Sequence, residues 1–111
     1  PTDKERDQLD SAINSLRSQY QDVIFLSFPG DERSTGGCLA AGRGFFHINP
    51  QGKAEPCPFS PYSDTSLQNA SLLEALSSPL FLKLNQSGMM NMEHTGGCVL
   101  FGQKDQVHEM L

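Results

Sequence analysis

Tryptophan is absent from this chain of 111 residues, and it has only two tyrosines and three cysteines. An odd cysteine count leaves one thiol over in any closed disulfide framework. Basic residues are also few: eight Lys and Arg stand against thirteen Asp and Glu, for a net charge of −5. Nucleic-acid binding draws on clustered Lys and Arg to meet phosphates. Here the basic residues are scattered, so no nucleic-acid partner is expected. No apolar run approaches the roughly 18–20 residues that a bilayer span needs, so no membrane partner is expected. The first twenty residues are charged and polar, unlike an export signal, and a cytoplasmic location is the expectation. The length suits one small domain. Such a chain buries only about two-thirds of its unfolded surface, so a metal staple would matter to it.

What is present begins with a capping box, Thr2-Asp3-Lys4-Glu5. Leu9, Ile13, Leu16 and Tyr20 follow at helical spacing and predict an amphipathic, core-packing helix from about Asp3 to Ser18. Val23-Ile24-Phe25-Leu26-Ser27-Phe28 is a nearly continuous apolar run, as in a strand covered on both faces. Pro29-Gly30 ends it. Helix then buried strand reads as one αβ unit cut from a larger parallel sheet. Gly44 to Ile48 reads as a strand, Asn49-Pro50-Gln51-Gly52 as a type I turn, and Lys53 to Cys57 as the return strand. Pro58 to Asn69 reads as loop. Ser71-Leu72-Leu73-Glu74 is a second capping box, opening a short helix to Leu76 or Ser77. Pro79 starts the next helical turn. Gln86 to Glu93 reads as a loop holding Met89, Met90 and Met92. Val107, Met110 and Leu111 suit one face of a short C-terminal helix.

Cys38, Cys57 and Cys98 carry the chemistry. Cys38 and Cys98 each follow Thr-Gly-Gly, at residues 35–37 and 95–97. A glycine pair allows tight turns with positive φ, and its N–H groups can face an anion. Metal thiolates and iron–sulfur clusters are anionic, and N–H bonds to sulfur help to hold them. Three readings stand side by side: buried structural cysteines, a disulfide between two of them, and a metal site holding zinc or an iron–sulfur cluster. Zinc would want a fourth ligand, for which His94, four residues before Cys98, and His47 are the candidates.

Cys38, thirteen residues, Gly52, four residues and Cys57 resembles the opening of the auxiliary-cluster pattern of radical S-adenosylmethionine proteins, found in their C-terminal SPASM and twitch domains. Gly44 to Cys57 is similar to the family's hairpin. Ser71 to Leu76 with Pro79-Leu80-Phe81 is similar to the helix that follows it. Gly96-Gly97-Cys98 resembles a later cysteine motif. The resemblance covers about residues 36–98. It implies an α+β fold: residues 1–30 as the terminal αβ unit of a partial TIM barrel, and residues 31–111 as a twitch-like domain of hairpin and short helices. It also implies that Cys38, Cys57 and Cys98 bind one 4Fe–4S cluster for electron relay or substrate anchoring. His94, Glu93 or Asp64 would be candidates for the fourth position.

The chain departs from the family in lacking the Cys-x-x-x-Cys-x-x-Cys loop of the catalytic cluster. It has three cysteines where a full SPASM domain has about seven. S-adenosylmethionine and a second cluster would belong to the missing N-terminal barrel, which is the implied partner, and the chain alone is expected to be inactive as an oxidoreductase. The alternative is a zinc-stapled or metal-free interaction module. A homo-oligomer through the strand edge at Val23 to Phe28 is a further expectation.

The remaining residues are read plainly. His47, His94 and His108 are expected to be ordinary residues, not general bases. Gly36 to Gly44 lacks the Lys-Ser/Thr ending of a phosphate loop. Phe45, Phe46, Phe59 and Tyr62 bracket Cys57 as hairpin core or as a wall around a cluster.

Overall fold

The computed structural model describes residues 2–25, 36–92 and 97–111. Helix α1 spans Asp3–Gln19, opened by the expected capping box. Thr2 Oγ1 accepts the Glu5 N–H at 3.3 Å, and Glu5 Oε2 accepts the Thr2 N–H at 2.7 Å. The helix forms where its caps and spacing predict it, but none of its residues is buried. Leu9 is 58% exposed and Leu16 is 38% exposed, so the apolar stripe covers no core among the described residues. Beyond it, the Arg17 guanidinium donates to the Phe25 carbonyl at 3.1 and 2.8 Å and folds the chain back.

Val23 to Phe25 form no strand, and Val23 and Ile24 are exposed. A strand needs a bonded neighbour, and none pairs there among the described residues. The rest of that predicted strand, and the predicted boundary at residue 30, lie outside the described residues. A partial-barrel remnant is therefore not visible. What the chain does build is a small α+β fold with a three-stranded antiparallel sheet.

The sheet grows from the hairpin. Strands β1 (His47–Ile48) and β2 (Lys53–Glu55) pair with His47 opposite Glu55 and Ile48 opposite Ala54. In the turn between them, Asn49 Oδ1 accepts the N–H groups of Gln51 and Lys53, each at 3.0 Å. Gly52 closes the turn at φ +75°, the left-handed region that glycine enters without penalty. A third strand, β3 (Thr65–Ser66), pairs with β2 inside the segment predicted as loop. It is two residues long, too short for alternation to mark it.

Helix α2 (Leu72–Leu76) and helix α3 (Pro79–Gln86) follow as predicted, with Ser71 and Ser78 as N-caps and Pro79 in the first turn. A 3₁₀ turn, Met89–Asn91, buries Met89 and Met90 inside the predicted loop. Helix α4 (Val99–Gly102) is an addition the sequence pattern did not predict, and α5 (Lys104–Glu109) supplies the expected C-terminal helix. Val107 is buried and Met110 packs partly against the core, while Leu111 stays exposed.

Leu80, Phe81 and Leu84 of α3, Leu100 of α4 and Val107 of α5 are fully buried together with Ala40, Ala41 and Ala75. Each large side chain so placed is worth about 1.5–3 kcal/mol of transfer from water.

Ser71 caps α2 by accepting the Glu74 N–H at 3.2 Å. Replacing Ser71 by alanine should cost about 1 kcal/mol, read from denaturant unfolding. Glu74 answers by accepting the Ser71 N–H at 2.6 Å, and this bond holds its carboxyl below the ordinary value of 4.5. The folded pKa is depressed, so the carboxylate's support is complete above about pH 4.5 and fades as pH falls further. Circular dichroism of wild type and Glu74→Gln should therefore converge on acidification.

Candidate metal centre

Three separate segments carry the cysteines, and the fold ties them together. Cys38 lies in the loop after Gly37. Its N–H donates to the Met90 carbonyl at 2.9 Å. Its carbonyl accepts from the Arg43 guanidinium at 3.0 Å, and Arg43 also reaches Asn91 Oδ1 at 2.8 Å. The loop is bonded to the hairpin end as well, through Ala41 N–H to the Pro56 carbonyl at 3.0 Å.

Cys57 follows β2, where Pro56 stops the ladder. The chain turns back at once, since the Ser60 N–H donates to the Cys57 carbonyl at 2.9 Å and the two residues form an isolated antiparallel bridge. Within this turn the Phe59 N–H donates to Cys57 Sγ at 3.5 Å. Cys98 heads α4, after Gly97 at φ +74°. Cys38 and Cys57 are buried and Cys98 is half-buried, and none of the three forms a disulfide.

Two of the thiols meet. Cys57 is hydrogen-bonded to the Cys98 side chain, and this bond is the largest reason that its pKa stands far above the ordinary thiol value. Burial pushes the same way, as does charge repulsion from Cys98 and Cys38. The Phe59 N–H opposes the shift, because it favours a thiolate. A reactive cysteine nucleophile needs the reverse, a depressed pKa and some exposure. A cation bound at these thiols would displace one proton per thiolate formed. Among the described residues, however, no group of three or more Cys, His, Asp or Glu stands so that it could hold a metal ion.

The other predicted donors are occupied or lie elsewhere. Asp64 Oδ2 accepts the Leu80 N–H at 2.7 Å and so anchors α3. His47 Nε2 lies 3.9 Å from Glu55 Oε2 on the sheet. The His108 ring packs on Tyr62 at 5.6 Å. His94 and Glu93 lie outside the described residues. Phe45, Phe46 and Tyr62 pack against the core, whereas Phe59 is exposed at 43%. A separate cleft of about 360 Å³ is lined by residues that include Lys53, Glu55, Tyr62 and His108, and none of the cysteines borders it.

Gly37 shows how closely the Cys38 loop is fitted. Its φ is +118°, and a Cβ there would stand 2.6 Å from the Met90 carbonyl oxygen. Gly37→Ala should therefore break the Cys38-to-Met90 bond and cost at least about 1–2 kcal/mol from the backbone alone. Thermal unfolding of the metal-free chain measures the loss.

No helix among the described residues is long and apolar enough to cross a membrane. No protein-family model matches the chain, and no curated protein or solved structure matches it.

Proposed function

We propose that this chain is an auxiliary iron–sulfur domain, one that serves a radical S-adenosylmethionine oxidoreductase and has no turnover of its own. The observation that carries the reading is the meeting of the Cys57 and Cys98 side chains from distant segments, with the Cys38 loop bonded to the same hairpin end and a backbone N–H already donating to Cys57 Sγ. The donor set is soft, which suits iron–sulfur or zinc. A bound cluster would supply one-electron transfer or an open iron for substrate. The chain's own residues would hold the thiolates among buried side chains that limit water, which would tune a cluster's potential. The bare stripe of α1 and the exposed Val23 and Ile24 are surfaces that a neighbouring barrel would cover.

Anaerobic reconstitution with ferrous iron and sulfide tests the proposal. Iron and sulfide should be retained in roughly equal amounts, with broad absorption near ~400 nm from the cluster's thiolate and sulfide ligation. The loaded chain should form no 5′-deoxyadenosine from S-adenosylmethionine. Colourless protein without retained iron would overturn the reading.

The second reading is a zinc-stapled module, and one observation favours it. The Cys57 and Cys98 side chains are already within hydrogen-bonding reach, a closeness that suits two ligands of one ion. One zinc per chain, with no iron retained on reconstitution, would establish it. A second copy of the chain is the competing cover for α1, and light scattering separates it from a barrel: a dimer at working concentration favours the copy.

A further inference from the structure

We propose that Ser60 Oγ is the fourth donor of the cysteine site, so that Cys57-Pro58-Phe59-Ser60 acts as a metal-binding knuckle with one oxygen ligand. The inference rests on the metal reading above and adds the ligand that three cysteines leave open.

Three observations carry it. Ser60 is 1% exposed, and its hydroxyl has no hydrogen-bond partner. A buried hydroxyl in that state is costly, and native folds meet it with a bound water or ion. Ser60 is also the bridge partner of Cys57. Residues directly opposed in an antiparallel pair send their side chains to the same face, with Cβ atoms about 4.5–5.5 Å apart. The hydroxyl thus stands on the face that carries Cys57 Sγ. Finally, Ser60 stands beyond Cys57 with two residues between them, where a metal knuckle places its second cysteine. The turn is already closed by the Ser60 N–H to the Cys57 carbonyl, and the Phe59 N–H already meets the sulfur. On binding, Ser60 gives its hydroxyl proton to solvent and ligates as the alkoxide.

The experiment compares wild type, Ser60→Ala and Ser60→Cys, with His94→Ala and Glu93→Gln as competing fourth ligands. Each chain is reconstituted with ferrous iron and sulfide, then challenged with a chelator. Metal-free Ser60→Ala should melt at or above the wild-type temperature, because it removes an unpartnered buried hydroxyl. The same variant, once loaded, should lose iron at least ~10-fold faster than wild type. Ser60→Cys should hold its iron better than Ser60→Ala and show a reduction potential displaced from wild type, since a thiolate has replaced an alkoxide. This opposition between the metal-free and loaded states is one that a merely structural serine would not produce.

Ser60→Ala that loads and releases iron as wild type does would overturn the assignment while leaving the cluster reading intact. So would a lowered melting temperature of its metal-free form, or a loss of iron confined to His94→Ala or Glu93→Gln. Failure of wild type itself to retain iron would overturn both.

Discussion

Alanine in place of Cys57 should abolish iron retention after reconstitution. Cys57 is the hub of the site: it bonds to the Cys98 side chain and receives the Phe59 N–H. Cys38→Ala and Cys98→Ala remove one ligand each and should impair retention too, but Cys57→Ala also empties the knuckle. The metal-free variant should still fold. Loss of one buried sulfur costs about as much as loss of a methylene or two, roughly 1 kcal/mol. A metal present at a thousand times its Kd stabilises a folded chain by about 4 kcal/mol, so this gain should vanish in the variant. Iron analysis and thermal melts with and without iron and sulfide measure both effects. Undiminished iron in Cys57→Ala would place the centre away from these cysteines.

The second large effect is expected at Phe81. Its side chain is fully buried and meets Phe46 edge to face, with ring centroids 5.8 Å apart. Phe81→Ala should cost about 3–5 kcal/mol, the range for truncating a buried aromatic. Whole domains are stable by about 5–15 kcal/mol, so the metal-free variant should lose a large share of its stability. The damage should also reach the site. Asn85 Nδ2 bridges the Phe81 carbonyl at 2.8 Å and the Ala41 carbonyl at 3.0 Å, and Ala41 sits in the Cys38 loop at the unfavourable φ of +53°. A core that no longer fixes α3 no longer fixes that loop, so iron retention should fall with stability. Urea unfolding at constant slope tests the first point. A shift below about 1 kcal/mol would mean that the core closes over the missing ring.

Much of the local structure was legible because local rules decide it. Thr2 and Ser71 cap helices through contacts only three residues long. Asn49 and Gly52 shape the hairpin through bonds inside one turn. What could not be read depends on distant partners. Val23 to Phe25 have the composition of a buried strand, but composition cannot supply the neighbour that a strand bonds to. The stripe on α1 predicts a buried face, yet only tertiary contact can bury it. β3 and α4 are too short for periodicity, and both exist because the core around them gives their few residues a partner. At the site, the three cysteines were singled out by residue type and by the glycines before them. Ser60 was missed because nothing marks one serine among many until its burial and its missing partner are known. The available signal was its place three residues after Cys57.

The Arg43 clamp joins residues 48 positions apart in the chain, where the capping contacts span three. Contacts of that range close a long loop before they give any stabilisation in return, and such closures come late in folding. The cysteine site should therefore ripen after the hairpin and helices have formed. During that interval Cys57 and Cys98 are reduced thiols that have not yet been sheltered. A thiol-reactive dye pulsed during refolding should label them well after the hairpin has formed. Air admitted in the same window would oxidise them before a metal could be captured, so the history of a preparation, as well as its sequence, would decide how much of it can be loaded.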